Sequence, residues 1–152
     1  MLSSYTRYFV TFLFIIFLTG CEEQDKEVGP YSMLNKGTPE YSAVQFIRSI
    51  YEDDDLDVAI SLSSDRLGRI LKKYHTNRNV QRHLFNLKYD TVVITPQSSN
   101  RVGRSEFAEK ATITVFLSGM YDGDKIEDMR SLDLINEDGE WKVSRIHPDH
   151  FM

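Results

Sequence analysis

Near Leu87 the spacing of the apolar residues changes from three-to-four to two, and this constrains the fold more than any other feature of the chain. Ahead of that point the pattern is helical. Thr38-Pro39-Glu40 predicts a helix start: a hydroxyl N-cap, a proline at the first helical position and a carboxylate in the first turn. Ala43, Val44, Ile47, Ile50 and Tyr51 then recur on one face. Glu52-Asp53-Asp54-Asp55 interrupts the stripe, with Asp55 expected to cap a short second helix carrying Leu56, Ala59, Ile60 and Leu62. Asp65 is expected to cap a third helix, with Leu67, Ile70, Leu71 and Tyr74 facing inward. His75 to Arg82 is polar and without a clear period, and Leu84, Phe85 and Leu87 return the chain to the core.

Beyond Leu87 the residues alternate. Leu87, Tyr89, Thr91, Val93 and Thr95 predict one face of a first strand ending at Pro96. Phe107, Glu109, Ala111, Ile113, Val115 and Leu117 predict one face of a long second strand. Tyr121-Asp122-Gly123-Asp124 is a turn signal ahead of a third strand over about Lys125 to Asn136. Asp138-Gly139 is a tight hairpin signal leading into Glu140 to Ile146. Helices followed by antiparallel strands make an α+β chain, and half-polar alternation requires a sheet covered on one face only.

The N-terminal 37 residues follow another logic. Arg7 precedes an apolar run from Tyr8 to Leu18, 11 residues long, which suits a secretory leader and falls short of the ~20 residues of a spanning helix. That run closes on Leu18-Thr19-Gly20-Cys21, and six polar residues from Glu22 to Glu27 follow at once. The tetrapeptide resembles the lipobox of bacterial lipoproteins. The resemblance implies a diacylglycerol on the Cys21 thiol, cleavage after Gly20 and acylation of the new amine. Several acyl chains would anchor the protein stably where one would bind reversibly. By the same resemblance Glu22 stands where some Gram-negative lipoproteins carry an inner-membrane retention Asp, so the expected location is the outer membrane, facing the periplasm. Residues 21–37 read as a lipidated tether, 38–147 as the domain and 148–152 as a C-terminal tail.

Cys21 is the sole cysteine, so a lipidated chain has no disulfide, no thiol nucleophile and no thiolate metal site. Loss of Arg7 with the leader takes Lys plus Arg from 18 to 17 against 23 Asp plus Glu, a formal charge of about −6. Such a domain is poorly suited to nucleic acid or to anionic headgroups, so membrane attachment falls to the acyl chains.

The Thr38-Pro39 helix start, the Asp55-Leu56-Asp57-Val58-Ala59 second helix and the Leu134-to-Val143 closing hairpin together resemble the NTF2-like (cystatin-like cone) superfamily. The similarity is greatest to its small exported lipoproteins of unassigned function. It implies a curved sheet of four or more strands whose helices enclose a cone-shaped pocket. Some members of that superfamily are enzymes, such as ketosteroid isomerases, and many only bind small molecules or a protein. On this chain the possible pocket residues are Tyr51, Tyr89, Asp128, Arg130, Trp141 and Arg145.

An isomerase-type site needs an inward Asp as base and a Tyr or protonated acid for the oxyanion. Period 2 places Asp128 and Arg130 on the face of Leu132 and Leu134, and Arg145 on the face of Trp141 and Val143. Asp128 beside two arginines would be paired, a poor match for a base poised near neutrality. Ordinary surface pairs at the sheet's ends are the expectation, and no catalytic residue is assigned. The acidic run 52–55 lacks the spacing and glycine of a calcium loop. His147-Pro148-Asp149-His150 reads as an exposed tail, and no metal or cofactor is expected. Lys72-Lys73, Arg78 and Arg82 read as a solvated helix face. These features point to a membrane-anchored envelope lipoprotein that binds a small apolar ligand or an envelope protein, with a homodimer possible. The alternative is a periplasmic isomerase, lyase or hydrolase.

Overall fold

The structure, a computed structural model, describes residues 34–97 and 108–147. The leader, Cys21, most of the tether, Phe107 and the tail beyond His147 lie outside the described residues. The first helix, α1 (Pro39–Tyr51), starts as its sequence predicts: the Thr38 hydroxyl accepts the Tyr41 N–H at 3.3 Å. Ala43, Val44, Ile47 and Ile50 are fully buried. Phe46 is equally buried, which widens the apolar stripe beyond the expected set. Arg48 ties the helix end to Glu52 one turn on, at 3.0 Å.

Asp55 caps α2 (Leu56–Ser61) as expected, its carboxylate accepting the N–H groups of Asp57 (3.0 Å) and Val58 (3.2 Å). In α2 only Ala59 is buried; Leu56, Ile60 and Leu62 are half-covered. The third helix, α3 (Asp65–Tyr74), departs from expectation at its start. Ser64 holds the cap position and Asp65 is the first helical residue. The cause lies in the sheet: Val143 donates to the Leu62 carbonyl (2.8 Å) and accepts the Ser64 N–H (2.9 Å). Ser63 thereby forms a parallel bridge with Val143, and α3 must begin just after it. The polar stretch that follows resolves into α4 (Asn77–Val80) and a π-helical turn over Gln81–Phe85.

Four antiparallel strands follow, in the spatial order of the chain: β1 (Thr91–Gln97), β2 (Lys110–Tyr121), β3 (Asp124–Glu137) and β4 (Glu140–Ile146). The helices pack on one face, α1 against all four strands and α3 against β4. Both central hairpins are two-residue turns with positive φ at both positions, Asp122-Gly123 (52°, 87°) and Asp138-Gly139 (55°, 90°). That geometry matches the twist of the flanking strands and favours Asp-Gly. Among the described residues no helix is long and apolar enough to cross a membrane.

Ile94, Ile113, Val115, Leu117, Leu132, Leu134, Trp141 and Val143 fill the covered face and are at most 5% exposed. The other face is half-polar, with Thr112–Asp133 (2.8 Å) and Thr114–Ser131 (3.0 Å) paired across strands. Two registers correct the sequence reading. In β1 the inward residue is Ile94, while Val93 is 57% exposed. The alternation that buries Leu87 and Tyr89 breaks at the bend of Asp90, where the strand proper has not begun. Pro96 lies inside β1 and does not end it; as an edge strand β1 tolerates the missing donor. In β4 a bulge sets Asp133 opposite Arg145 but Leu134 opposite Val143. The extra residue, Ser144, donates its hydroxyl to the Asp133 carbonyl at 3.0 Å. Arg145 is thereby exposed, not inward with Trp141 and Val143.

Gly119, paired with Val92, leaves no room for a side chain on its β1 side. A Cβ there would lie 2.6 Å from the Tyr89 ring, 2.9 Å from the Val92 Cα and closer still to the Thr91 carbonyl oxygen. Backbone atoms cannot move aside without parting the strands, so Gly119→Ala is expected to cost about 2–3 kcal/mol. Gly37→Ala, where nothing lies within 4 Å, should change stability by less than about 0.5 kcal/mol. Paired urea melts check this; equal midpoints would contradict the β1–β2 register.

Candidate functional site

Asn77 and Gln81, four residues apart, reach back to the end of α1. The Asn77 amide donates to the Ser49 carbonyl at 2.7 Å, and Gln81 Nε2 donates to that of Ile50 at 2.9 Å. These bonds satisfy helix-end carbonyls that would otherwise be orphaned. The π-turn closes on Asn86, whose left-handed φ of 51° suits an Asn, and Leu87 N–H returns to the Gln81 carbonyl at 3.0 Å. The Phe85 ring and carbonyl are thus held beneath the last turn of α1.

Tyr51, the last residue of α1, meets Phe85 edge-on at 5.6 Å and Tyr89 at 5.7 Å. Phe46 also packs on Phe85, tilted, with centroids 6.5 Å apart. The Tyr51 hydroxyl donates to the Leu87 carbonyl (2.9 Å), and Tyr89 donates to Leu117 (3.4 Å). Against these rings β3 sets Arg130, only 3% exposed. Its Nη1 pairs with Asp128 Oδ1 and also donates to the Met129 carbonyl (2.9 Å); Nη2 donates to the Phe85 carbonyl (3.2 Å). A cation at the end of the π-turn also suits the carbonyls left open there.

Burial drives the Tyr51 hydroxyl far above its ordinary ionisation range; Tyr89 and Asp128 add to the shift and Arg130 opposes it. Tyr89 is pushed up to about 12, first by burial and then by Asp128. Both phenols are therefore protonated donors at neutral pH, each with a carbonyl already accepting.

Four of the six expected pocket residues, Tyr51, Tyr89, Asp128 and Arg130, come together. Trp141 does not join them: it pairs with Asn136, six residues along β3 from Arg130, or about 20 Å. Arg145 is turned away by the bulge. The expected surface pair of Asp128 and Arg130 is in fact a pair with a buried arginine, because Phe85 and the two tyrosines cover it. Phe46, Asn77, Gln81 and Phe85 went unassigned to the site. The four-residue spacing of Asn77 and Gln81 was their one legible signal.

Elsewhere Lys72 and Lys73 are exposed on α3, and Tyr74 stacks on His83 with centroids 6.1 Å apart. His147 Nε2 meets Asp133 at 2.8 Å. Partial burial works to raise the Asp133 carboxyl, but hydrogen bonds from His147 and Thr112, with the charges of His147 and Arg145, hold it below its ordinary value. Among the described residues no three His, Cys, Asp or Glu side chains group as metal ligands. Asp149 and His150 lie outside the described residues. No protein-family model matches the chain, and no curated protein matches it significantly.

Proposed function

We propose that this chain is an envelope lipoprotein, anchored by acyl chains on Cys21, whose α+β domain is a non-enzymatic binding or interaction module of the NTF2-like type. The observation that carries the anchor is sequential: a lipobox-like Leu18-Thr19-Gly20-Cys21 ends an 11-residue apolar run and precedes a short acidic tether. Helices stacked on one face of a four-stranded antiparallel meander support the NTF2-like assignment. The engagement of the Tyr51–Tyr89–Asp128–Arg130 cluster supports the non-enzymatic reading. Tyr51 and Tyr89 are neutral donors to backbone carbonyls, and Asp128 Oδ1 accepts from both Arg130 and the Met129 N–H, the latter at 2.6 Å.

Cys21→Ser is expected to abolish incorporation of labelled palmitate and to leave the leader uncleaved, because it removes the only thiol that can be acylated. Equal labelling of both forms would end the lipoprotein reading. In sucrose-gradient fractions the native protein should follow the outer membrane, given Glu22; recovery with the inner membrane alone would contradict that location.

A further inference from the structure

A cleft of about 720 Å³ opens where the start of α3 meets the ends of β2, β3 and β4. It is lined by cations from three separate elements: Arg66 and Arg69 on α3, Lys110 at the start of β2 and Arg145 on β4. The chain as a whole carries a formal charge of −5, so four cations at one cleft are not a consequence of composition. Three features of the fold bring them together. Arg66 and Arg69 are three residues apart and share one face of α3. The Ser63–Val143 bridge fixes the start of that helix beside β4. The β4 bulge sets Arg145 opposite Asp133, on the strand pair that also receives Thr112.

Among the described residues none of the four cations has a carboxylate within ion-pair distance, although Arg145, opposite Asp133, lies near enough for its charge to help hold that carboxyl down. The carboxylates in the cleft are Asp65, Asp133 and Glu137. Asp133 is already engaged by His147 and Thr112. Four cations thus face three carboxylates, an excess of one positive charge in a chain that is net acidic, in a volume typical of small-ligand sites. Ser64, whose side chain does not cap α3, also lines the cleft.

From this geometry we infer that the cleft binds a small multivalent oxyanion, carrying phosphate or carboxylate groups, held between Arg69 and Arg145. Guanidinium groups suit this ligand class because they offer forked donors to two oxygens at once. The site is separate from the Tyr51–Arg130 cluster, and it does not depend on acylation of Cys21.

The test is isothermal titration of the full chain in non-ionic detergent with two probes, pyrophosphate and citrate, at low ionic strength. Saturable binding of at least one probe is expected. The double variant Arg69→Ala/Arg145→Ala should weaken it by about tenfold or more, the loss of at least one charge-assisted hydrogen bond. Lys72→Ala/Lys73→Ala removes the same charge from α3 outside the cleft and should change affinity less than about twofold, as screening makes distant exposed charges weak. All four side chains are exposed, so thermal melts of both variants should match the wild type. The two probes separate a phosphate ligand from a carboxylate one. Absence of saturable heat with both would overturn the inference. So would equal weakening by the two double variants, which would reduce the effect to net charge.

Discussion

Trp141→Ala is expected to lower stability by about 3–5 kcal/mol, the loss for a large buried aromatic. Trp141 is 5% exposed and neighbours the fully buried Val143 on the covered face of the sheet, where α1 and α3 pack on β4. A domain of this size without disulfides has only about 5–15 kcal/mol in total, so the variant would stand near the edge of folding. Lys142, one residue along, faces the other way but is not idle. Its ammonium donates to the Ser61 carbonyl at 3.0 Å and pairs with Glu140 at 2.6 Å. Lys142→Ala should therefore cost about 1 kcal/mol or less. Urea melts of residues 22–152 compare the two. Near-equal losses would mean that the β3–β4 register is wrong.

The contrast between Trp141 and Arg145 shows which parts of this fold could be read before the structure. Trp141 follows a two-residue Asp-Gly turn, and such a turn sets register over the next few residues by local geometry alone. Arg145 lies past Ser144, the residue that bulges out. A bulge leaves no mark in a strand whose residues all suit either face. The same limit applies to β1. Thr91, Val93 and Thr95 alternate as well as Val92 and Ile94 do, so only the bend at Asp90 decides which set is buried. Local capping chemistry was legible at Thr38 and Asp55, where one side chain and two or three following amides suffice. It misled at Ser64, whose amide is claimed by Val143 some eighty residues on. At the candidate site, alternation placed Asp128 and Arg130 on one face. It could not reveal that a π-turn from a polar, unpatterned stretch would cover them.

Arg130→Ala is the sharper test of what that cluster does. Its guanidinium links three elements: β3 through Asp128 and Met129, the π-turn through the Phe85 carbonyl, and the end of α1 through the rings packed on Phe85. Removing it leaves the Phe85 carbonyl without that donor and Asp128 without its cation. Breaking a buried pair by deleting one partner costs about 3–5 kcal/mol. Here the lower figure, about 3 kcal/mol, is expected, because the Asp128 side chain is 17% exposed and can regain water. Asp128→Ala should cost less, about 1–2 kcal/mol, since Arg130 keeps both carbonyl acceptors. The double variant should lose less than the sum of the singles, by about 1 kcal/mol, as residues in direct contact do not add. A loss below about 1 kcal/mol for Arg130→Ala would show that the guanidinium does not brace the fold. Arg130 and Asp128 would then be a charge pair held at a structural cost, and the non-enzymatic reading of the tyrosine cluster would lose its main support.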